Sequence, residues 1–235
     1  MNLLTIFVFV LIIVLIYVVY KLMTKTTSTV SGFSDASKST MVPSKDDINT
    51  PNNYGYSVWL YIDAWETTGP STIINKNLLT RCDSNDAPLF QLYLDNDQNN
   101  LNLVMRGNKP CTIRNVQLQK WINITMSVYG NTVDLYLDGK LVRTCIMTTM
   151  PITLKSGENV YIGGSYDSTS KKFADGDLQG YISNVIYKAN YFTPEEAWSI
   201  YSDGYSGAGM FDFLHSYKLN FSVTNNNQVM SQFSI

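Results

Sequence analysis

Charge of either sign is scarce in this chain, and histidine is almost missing. Its 235 residues include 17 Lys and Arg, 19 Asp and Glu and one His, giving a formal net charge of -2 at pH 7. The cations are scattered rather than clustered, so the chain lacks the basic footprint that a phosphate backbone requires, and nucleic acid is not an expected partner. The lone histidine, His215, falls in a strand-like segment with no nucleophile elbow nearby, which argues against a Ser, His and acid triad. Cys82, Cys111 and Cys145 are odd in number and lack the paired spacing that zinc needs.

What the chain does have is apolar surface. Hydrophobic residues make up 45% and aromatics 13%, enough for a sizeable core and incompatible with disorder throughout. Residues 3–20, LLTIFVFVLIIVLIYVVY, carry no charge and a single polar side chain, Thr5. As a helix they would run about 27 Å, close to the thickness of a bilayer core. Residues 1–23 are therefore expected to be a transmembrane anchor, with Tyr17 and Tyr20 in the interfacial belt and Lys21 and Lys25 at the headgroups. A cleaved signal peptide fits less well, because no charged region precedes the run and the basic residues follow it. The same lysines bias the remainder of the chain toward the cytosol.

Residues 24–50 are rich in Ser and Thr and hold no hydrophobic period, which reads as a tether. From Tyr54 onward, short alternating segments are separated by Gly, Asn and Asp clusters, the layout of an all-β antiparallel sandwich, expected over residues 51–235. Within it, VDLYLDGKLVRTC at 133–145 places Asp134 and Asp138 four residues apart. On a strand they would be roughly 13 Å apart, too far to act on one bond as paired glycosidase carboxylates do. Asp138-Gly139 is instead a favoured type I′ hairpin loop. One short helix is expected at TPEEAWSIYSDG, with Thr193 as N-cap, Pro194 at the first helical position and Glu196 completing a capping box. A closing hairpin is expected around TNNN at 224–227.

The segments PNNYGYSVWLYIDAW, NVQLQKWINITMSVYGNTVDLYLDGKLVRTC and GDLQGYISNVIYKANYFTPEEAWSIYSDG together resemble a concanavalin A-like lectin/glucanase domain of the laminin-G-like type, over about residues 51–205. With Cys111 before LQKW and Cys145 after the hairpin, the wording is similar to membrane-anchored jelly-roll proteins of nucleocytoplasmic large DNA viruses. That resemblance implies a non-enzymatic minor capsid or virion membrane protein, whose partners are the lipid bilayer and other capsid or membrane proteins. The alternative is a membrane-anchored lectin whose partner is a glycan.

The Glu-x-Asp-x-x-Glu strand motif of the fold's glucanases is missing here, so no catalytic residue is assigned. The segment DNDQNN at 95–100 fails as an EF-hand, with no Gly at the sixth position and Arg106 at the twelfth. Laminin-G-like domains can bind calcium at their rim, which leaves Asp83, Asp86, Asp95 and Asp97 open either as such a site or as solvated turns. Two outcomes also stay open for the cysteines. Cys111 and Cys145 border the central strands and can bond, leaving Cys82 free, since viruses of this type encode thiol oxidases; in the ordinary cytosol all three stay reduced. The sequons at Asn123 and Asn220 fall inside expected strands, where a glycan would be awkward.

Overall fold

A strand that alternates polar and apolar residues has one face to bury, and two sheets of such strands bury theirs against each other. The computed structural model describes residues 7, 9, 11–17, 27–44, 53–65, 74–149, 154–155, 157–206, 220–225 and 228–234. In chain order its strands are β1 (Thr27–Ser31), β2 (Ser34–Asp35), β3 (Thr40–Pro43), β4 (Asn53–Ala64), β5 (Ile74–Cys82), β6 (Pro88–Leu94), β7 (Leu101–Met105), β8 (Cys111–Ile113) and β9 (Trp121–Tyr129). There follow β10 (Thr132–Leu137), β11 (Lys140–Ile146), β12 (Asn159–Ile162), β13 (Ser165–Asp167), β14 (Lys172–Ala174), β15 (Gln179–Lys188), the helix Pro194–Asp203, β16 (Asn220–Asn225) and β17 (Gln228–Ser234).

The first sheet has seven strands in the order β1-β15-β4-β9-β10-β11, with β2 also on β15. The second has eight, β14-β13-β5-β6-β7-β8, with β12 bridging β5 and β3. All pairings are antiparallel. Between the sheets lie Tyr54, Tyr56, Val58, Leu60 and Ile62 of β4, Ile122, Ile124, Met126 and Val128 of β9, and Phe90, Leu92, Leu103 and Met105 of β6 and β7. Each such buried side chain contributes about 1.5–3 kcal/mol. The Asp138-Gly139 turn has φ of 48° and 72°, the left-handed pair that a type I′ loop demands.

Of the buried cations Lys76, Arg81 and Lys188, Arg81 is the most deeply enclosed. Arg81 is fully buried, and its Nε donates to Glu158 Oε2 at 2.6 Å, Nη1 to the Tyr56 hydroxyl at 2.7 Å and Nη2 to the Lys155 carbonyl at 2.9 Å. Burial pulls the guanidinium pKa down, but Tyr56 and Glu158 outweigh it and raise it, so Arg81 stays charged.

Two sequence expectations need correction. The segment read as a tether joins the sandwich: β1 pairs with β15 and β3 with β12, and Ala36 between them is fully buried. Edge strands need partners for their backbone N–H and C=O groups, and that pairing asks for no side-chain period, so Ser and Thr supply it as well as any residue. The sandwich therefore begins near Thr27 rather than at residue 51. At the other end, β16 and β17 form the expected hairpin but pair only with each other among the described residues.

The expected anchor falls largely outside the described residues, as do Tyr20, Lys21 and Lys25. Residues 11–17 are helical and exposed, Tyr17 included. Among the described residues no helix is long and apolar enough to cross a membrane.

Candidate functional site

Alternation along β4 that sends Leu60 and Ile62 inward sends Trp59 and Tyr61 outward. In register, Tyr61 lies directly opposite Trp121 of β9 on one side and Tyr181 of β15 on the other. The three rings form one cross-strand row on the outer face of the first sheet, Tyr61 to Trp121 at 5.6 Å and Tyr61 to Tyr181 at 6.5 Å. Each is followed in sequence by an isoleucine, Ile62, Ile122 or Ile182, that enters the core.

Two further rings extend the row. Phe33, in the link from β1 to β2, stacks on Tyr181 at 5.1 Å and reaches Trp121 at 6.3 Å. Tyr205, just beyond the helix, lies parallel to Trp121 at 4.5 Å. Phe33, Tyr181 and Tyr205 are 64%, 43% and 45% exposed, a concentration of open rings that a folded surface seldom carries without a use. Asp63, Gln119 and Lys120 are exposed polar residues adjacent in sequence to Ile62 and Trp121. Below the platform, Trp59 is buried and stacked on Tyr201 at 5.8 Å, and its Nε1 has no hydrogen-bond partner among the described residues.

The helix fixes Tyr205 in place. Thr193 accepts a hydrogen bond from the Glu196 backbone, Glu196 accepts one from the Thr193 backbone, and the Glu196 carboxylate pairs with Lys188 of β15. At the far side, Gly139 is packed so closely that a Cβ would lie 3.0 Å from Trp198 Cα, which wedges the hairpin turn under the helix.

The residues singled out for chemistry are spent on structure. Asp138 accepts from the Asn123 backbone N–H at 2.9 Å and pairs with Lys120 at 3.0 Å, while Asp134 accepts from Thr144 Oγ1 at 2.6 Å. Asp83 caps its turn and pairs with Arg106, and Asp86 accepts from Tyr161. Asp95 accepts from Asn100 and Asn102. Asp83 and Asp86 precede β6 whereas Asp95 and Asp97 follow it, so the four aspartates lie at opposite ends of a seven-residue strand and do not converge. No cluster of three metal-ligating side chains occurs among the described residues.

Cys111 and Cys145 are bonded, Cα to Cα 6.1 Å, and the bond ties the edge of one sheet to the edge of the other. Cys82 is free and buried, and burial pushes its thiol up to about 12, so it is no nucleophile. Asn123 is fully buried and cannot carry a glycan; His215 and the side chain of Asn220 lie outside the described residues.

The aromatic row was not anticipated as a site. Its signal is the repeated aromatic-Ile step in three strands, Tyr61-Ile62, Trp121-Ile122 and Tyr181-Ile182, which only the register turns into a surface.

Solved structures of similar shape include the receptor binding domain of the botulinum neurotoxin C/D mosaic serotype, at 14% identity and TM-score 0.55, over 74% of this chain and 43% of that one. Another is the botulinum neurotoxin serotype D ligand binding domain in complex with N-acetylneuraminic acid, at 13% identity and TM-score 0.55, over 74% of this chain and 45% of that one. The chain thus spans less than half the length of these neighbours, and at such identity they show the shared fold alone. No curated protein matches the sequence. Residues 34–196 match the family described as concanavalin A-like lectin/glucanases superfamily, in its third laminin-G form. With the match running through both antiparallel sheets and over more than half of its residues, the chain belongs to the concanavalin A-like lectin/glucanases superfamily.

Proposed function

We propose that this is a non-enzymatic, membrane-anchored carbohydrate-binding protein whose contact surface is Phe33, Tyr61, Trp121, Tyr181 and Tyr205. The observation that carries the reading is the unbroken row of rings on the outer face, three of them well exposed. The C–H face of a sugar packs on aromatic rings, and its hydroxyls find partners in polar groups at the margin such as Asp63 and Gln119. A neighbour of the same fold was solved with N-acetylneuraminic acid, which supports a glycan as the ligand class. Work by contact rather than catalysis agrees with Asp134 and Asp138 being engaged in the hairpin.

The apolar run at 3–20 would anchor the chain, and the direction of β1 and β2 then aims the platform. Thr27 pairs with Lys188 at one end of β15 and Asp35 with Tyr181 at the other. Eight residues of extended chain put the rings about 25 Å from Thr27, at the end of β15 opposite the one where the chain enters the sandwich.

Binding of the full chain, reconstituted in nanodiscs, to an array of defined glycans tests the proposal. Saturable binding that Trp121→Ala removes is the expected result. Absence of any glycan ligand, or full binding by Trp121→Ala, would discard it.

A second reading has its own observation. The Cys111–Cys145 bond calls for oxidation, whereas Lys21 and Lys25 bias the domain toward the cytosol. A virion protein oxidised during assembly satisfies both, serving as a capsid-facing link between membrane and shell. The edge strand β11, with Leu141, Val142 and Ile146 exposed, would be its contact surface. Protease protection on sealed vesicles separates the two: digestion from the cytosolic side supports the virion role, and protection supports the lectin.

A further inference from the structure

Away from the platform, the open edge of the sandwich between β8 and β11 holds a cleft of about 580 Å³. Its lining is Pro110, Thr112, Ile113, Arg114, Val142 and Arg143. β8 ends the second sheet and β11 ends the first, and the Cys111–Cys145 bond fastens the two beside the cleft. The walls are therefore held at a fixed separation.

The placement of Arg143 is unusual. Opposed residues of an antiparallel pair share a face, and β10 sets Val133 against Cys145 and Leu135 against Arg143. Val133 and Leu135 belong to the core, so Arg143 emerges on the inner side of its strand, where the alternation calls for an apolar residue. Arg114 reaches the same cleft from the end of β8. Both arginines are exposed, and no carboxylate pairs with either among the described residues. Lys38, Arg106 and Lys120 are matched, with Asp175, Asp83 and Asp138, whereas the exposed Lys109, Lys140, Lys171 and Lys172 also have no carboxylate partner among the described residues; what sets Arg114 and Arg143 apart is that they share one cleft. Thr112 Oγ1 is engaged with Asn102 Oδ1 at 2.6 Å, which leaves the guanidinium groups as the cleft's charged donors.

Two guanidinium forks beside Pro, Ile and Val surfaces suit a planar oxyanion carried on a small, partly apolar frame, and a carboxylate accepts such a fork through two parallel hydrogen bonds. We propose that this cleft is a second binding site, taking the carboxylate of an acidic sugar through Arg114 and Arg143. That the carboxylate is borne on a sugar rests on the carbohydrate-binding reading above; the cleft and its unpaired arginines do not.

The test is saturation transfer from the full chain in nanodiscs to D-glucuronic acid, D-glucose and acetate, with platform binding of neutral glycans measured in parallel. D-glucuronic acid is expected to bind saturably and acetate at least tenfold more weakly, while any D-glucose held by the platform is unaffected by loss of either arginine. Arg143→Gln and Arg114→Gln, both at exposed positions, are each expected to weaken glucuronic acid binding tenfold or more. Unchanged binding of glucuronic acid by both arginine variants, or an equal loss of D-glucose binding in them, would overturn the site. Acetate binding as tightly as glucuronic acid would overturn the sugar as its ligand. Failure of the platform reading would show separately, as loss of neutral-glycan binding by the unaltered protein while the glucuronic acid titration stands.

Discussion

One half of the outer face of the first sheet is roofed by chain, and the other half is left open by the described residues. The same three strands, β4, β9 and β15, supply both halves with the same alternation, yet the residues differ. Under the roof stand Gly55, Ser57 and Ser127, and Phe192 lies across them: Ser127 Oγ is 2.9 Å from the Phe192 carbonyl and a Cβ on Gly55 would meet the Phe192 ring at 2.3 Å. In the open half stand Tyr61, Trp121 and Tyr181, with Phe33 and Tyr205 at the sides as the only rings that the described residues stack on them. Gly55, Ser57 and Ser127 make room for a covering segment and Trp59 beside them is capped by Tyr201 of the helix, whereas the rings of Tyr61, Trp121 and Tyr181 form a surface that stays available.

The comparison is most severely tested at the roof. Phe192→Ala removes a buried ring that sits on a glycine, and a loss of about 3–5 kcal/mol of unfolding free energy is expected; a denaturant titration showing under about 1 kcal/mol would mean that the roof carries no packing. Trp121→Ala in the open half should cost less stability than Phe192→Ala, because Trp121 is only half buried. Its effect belongs to binding instead, about tenfold in glycan affinity, the equivalent of roughly 1.4 kcal/mol, in the range of an aromatic stacking contact. Thr193→Ala deletes the N-cap of the helix that carries Tyr205 and should cost about 1 kcal/mol, again by denaturant titration.

The smallest effect is on pH dependence. Burial pushes the Glu196 carboxyl up, but hydrogen bonds from Lys188 and from the Thr193 backbone outweigh it and hold the pKa below the usual carboxylate value. A folded pKa below the unfolded one adds stability that is present above the unfolded value, near pH 4.5, and is lost as pH falls through the folded value. Stability of the native protein measured from pH 6 downward should therefore drop more steeply than that of Glu196→Gln, and parallel curves would remove Glu196 from the acid response.

Much of this fold was readable before the structure. Most strands from Tyr54 to Lys188 announce themselves by alternation, the 138–139 turn by its dipeptide, and the helix by Thr193, Pro194 and Glu196, because each signal is carried by neighbours in sequence; β5, which buries Lys76, Asn77, Thr80 and Arg81 beside Leu78 and Leu79, does not alternate and was not readable, nor were the short β13 and β14. The N-terminal strands were not readable: β1 and β3 contribute backbone to sheet edges and need no hydrophobic period. Arg81 was invisible as a core residue, since its burial depends on Tyr56, Glu158 and the Lys155 carbonyl arriving from three other segments. The candidate site was half legible, as three aromatic-Ile steps with no indication that they align.

By itself the sequence determined the class of fold, the hairpins, the capped helix and the lack of paired carboxylates on the hairpin strand, all of which follow from residues a few positions apart. Tertiary structure alone decided which outward rings meet, which half of the face is covered, that Cys111 reaches Cys145, and that two arginines share one cleft. Such meetings depend on strand register and on which segment crosses which sheet, and these are set by the packing of the whole chain rather than by any local stretch of it.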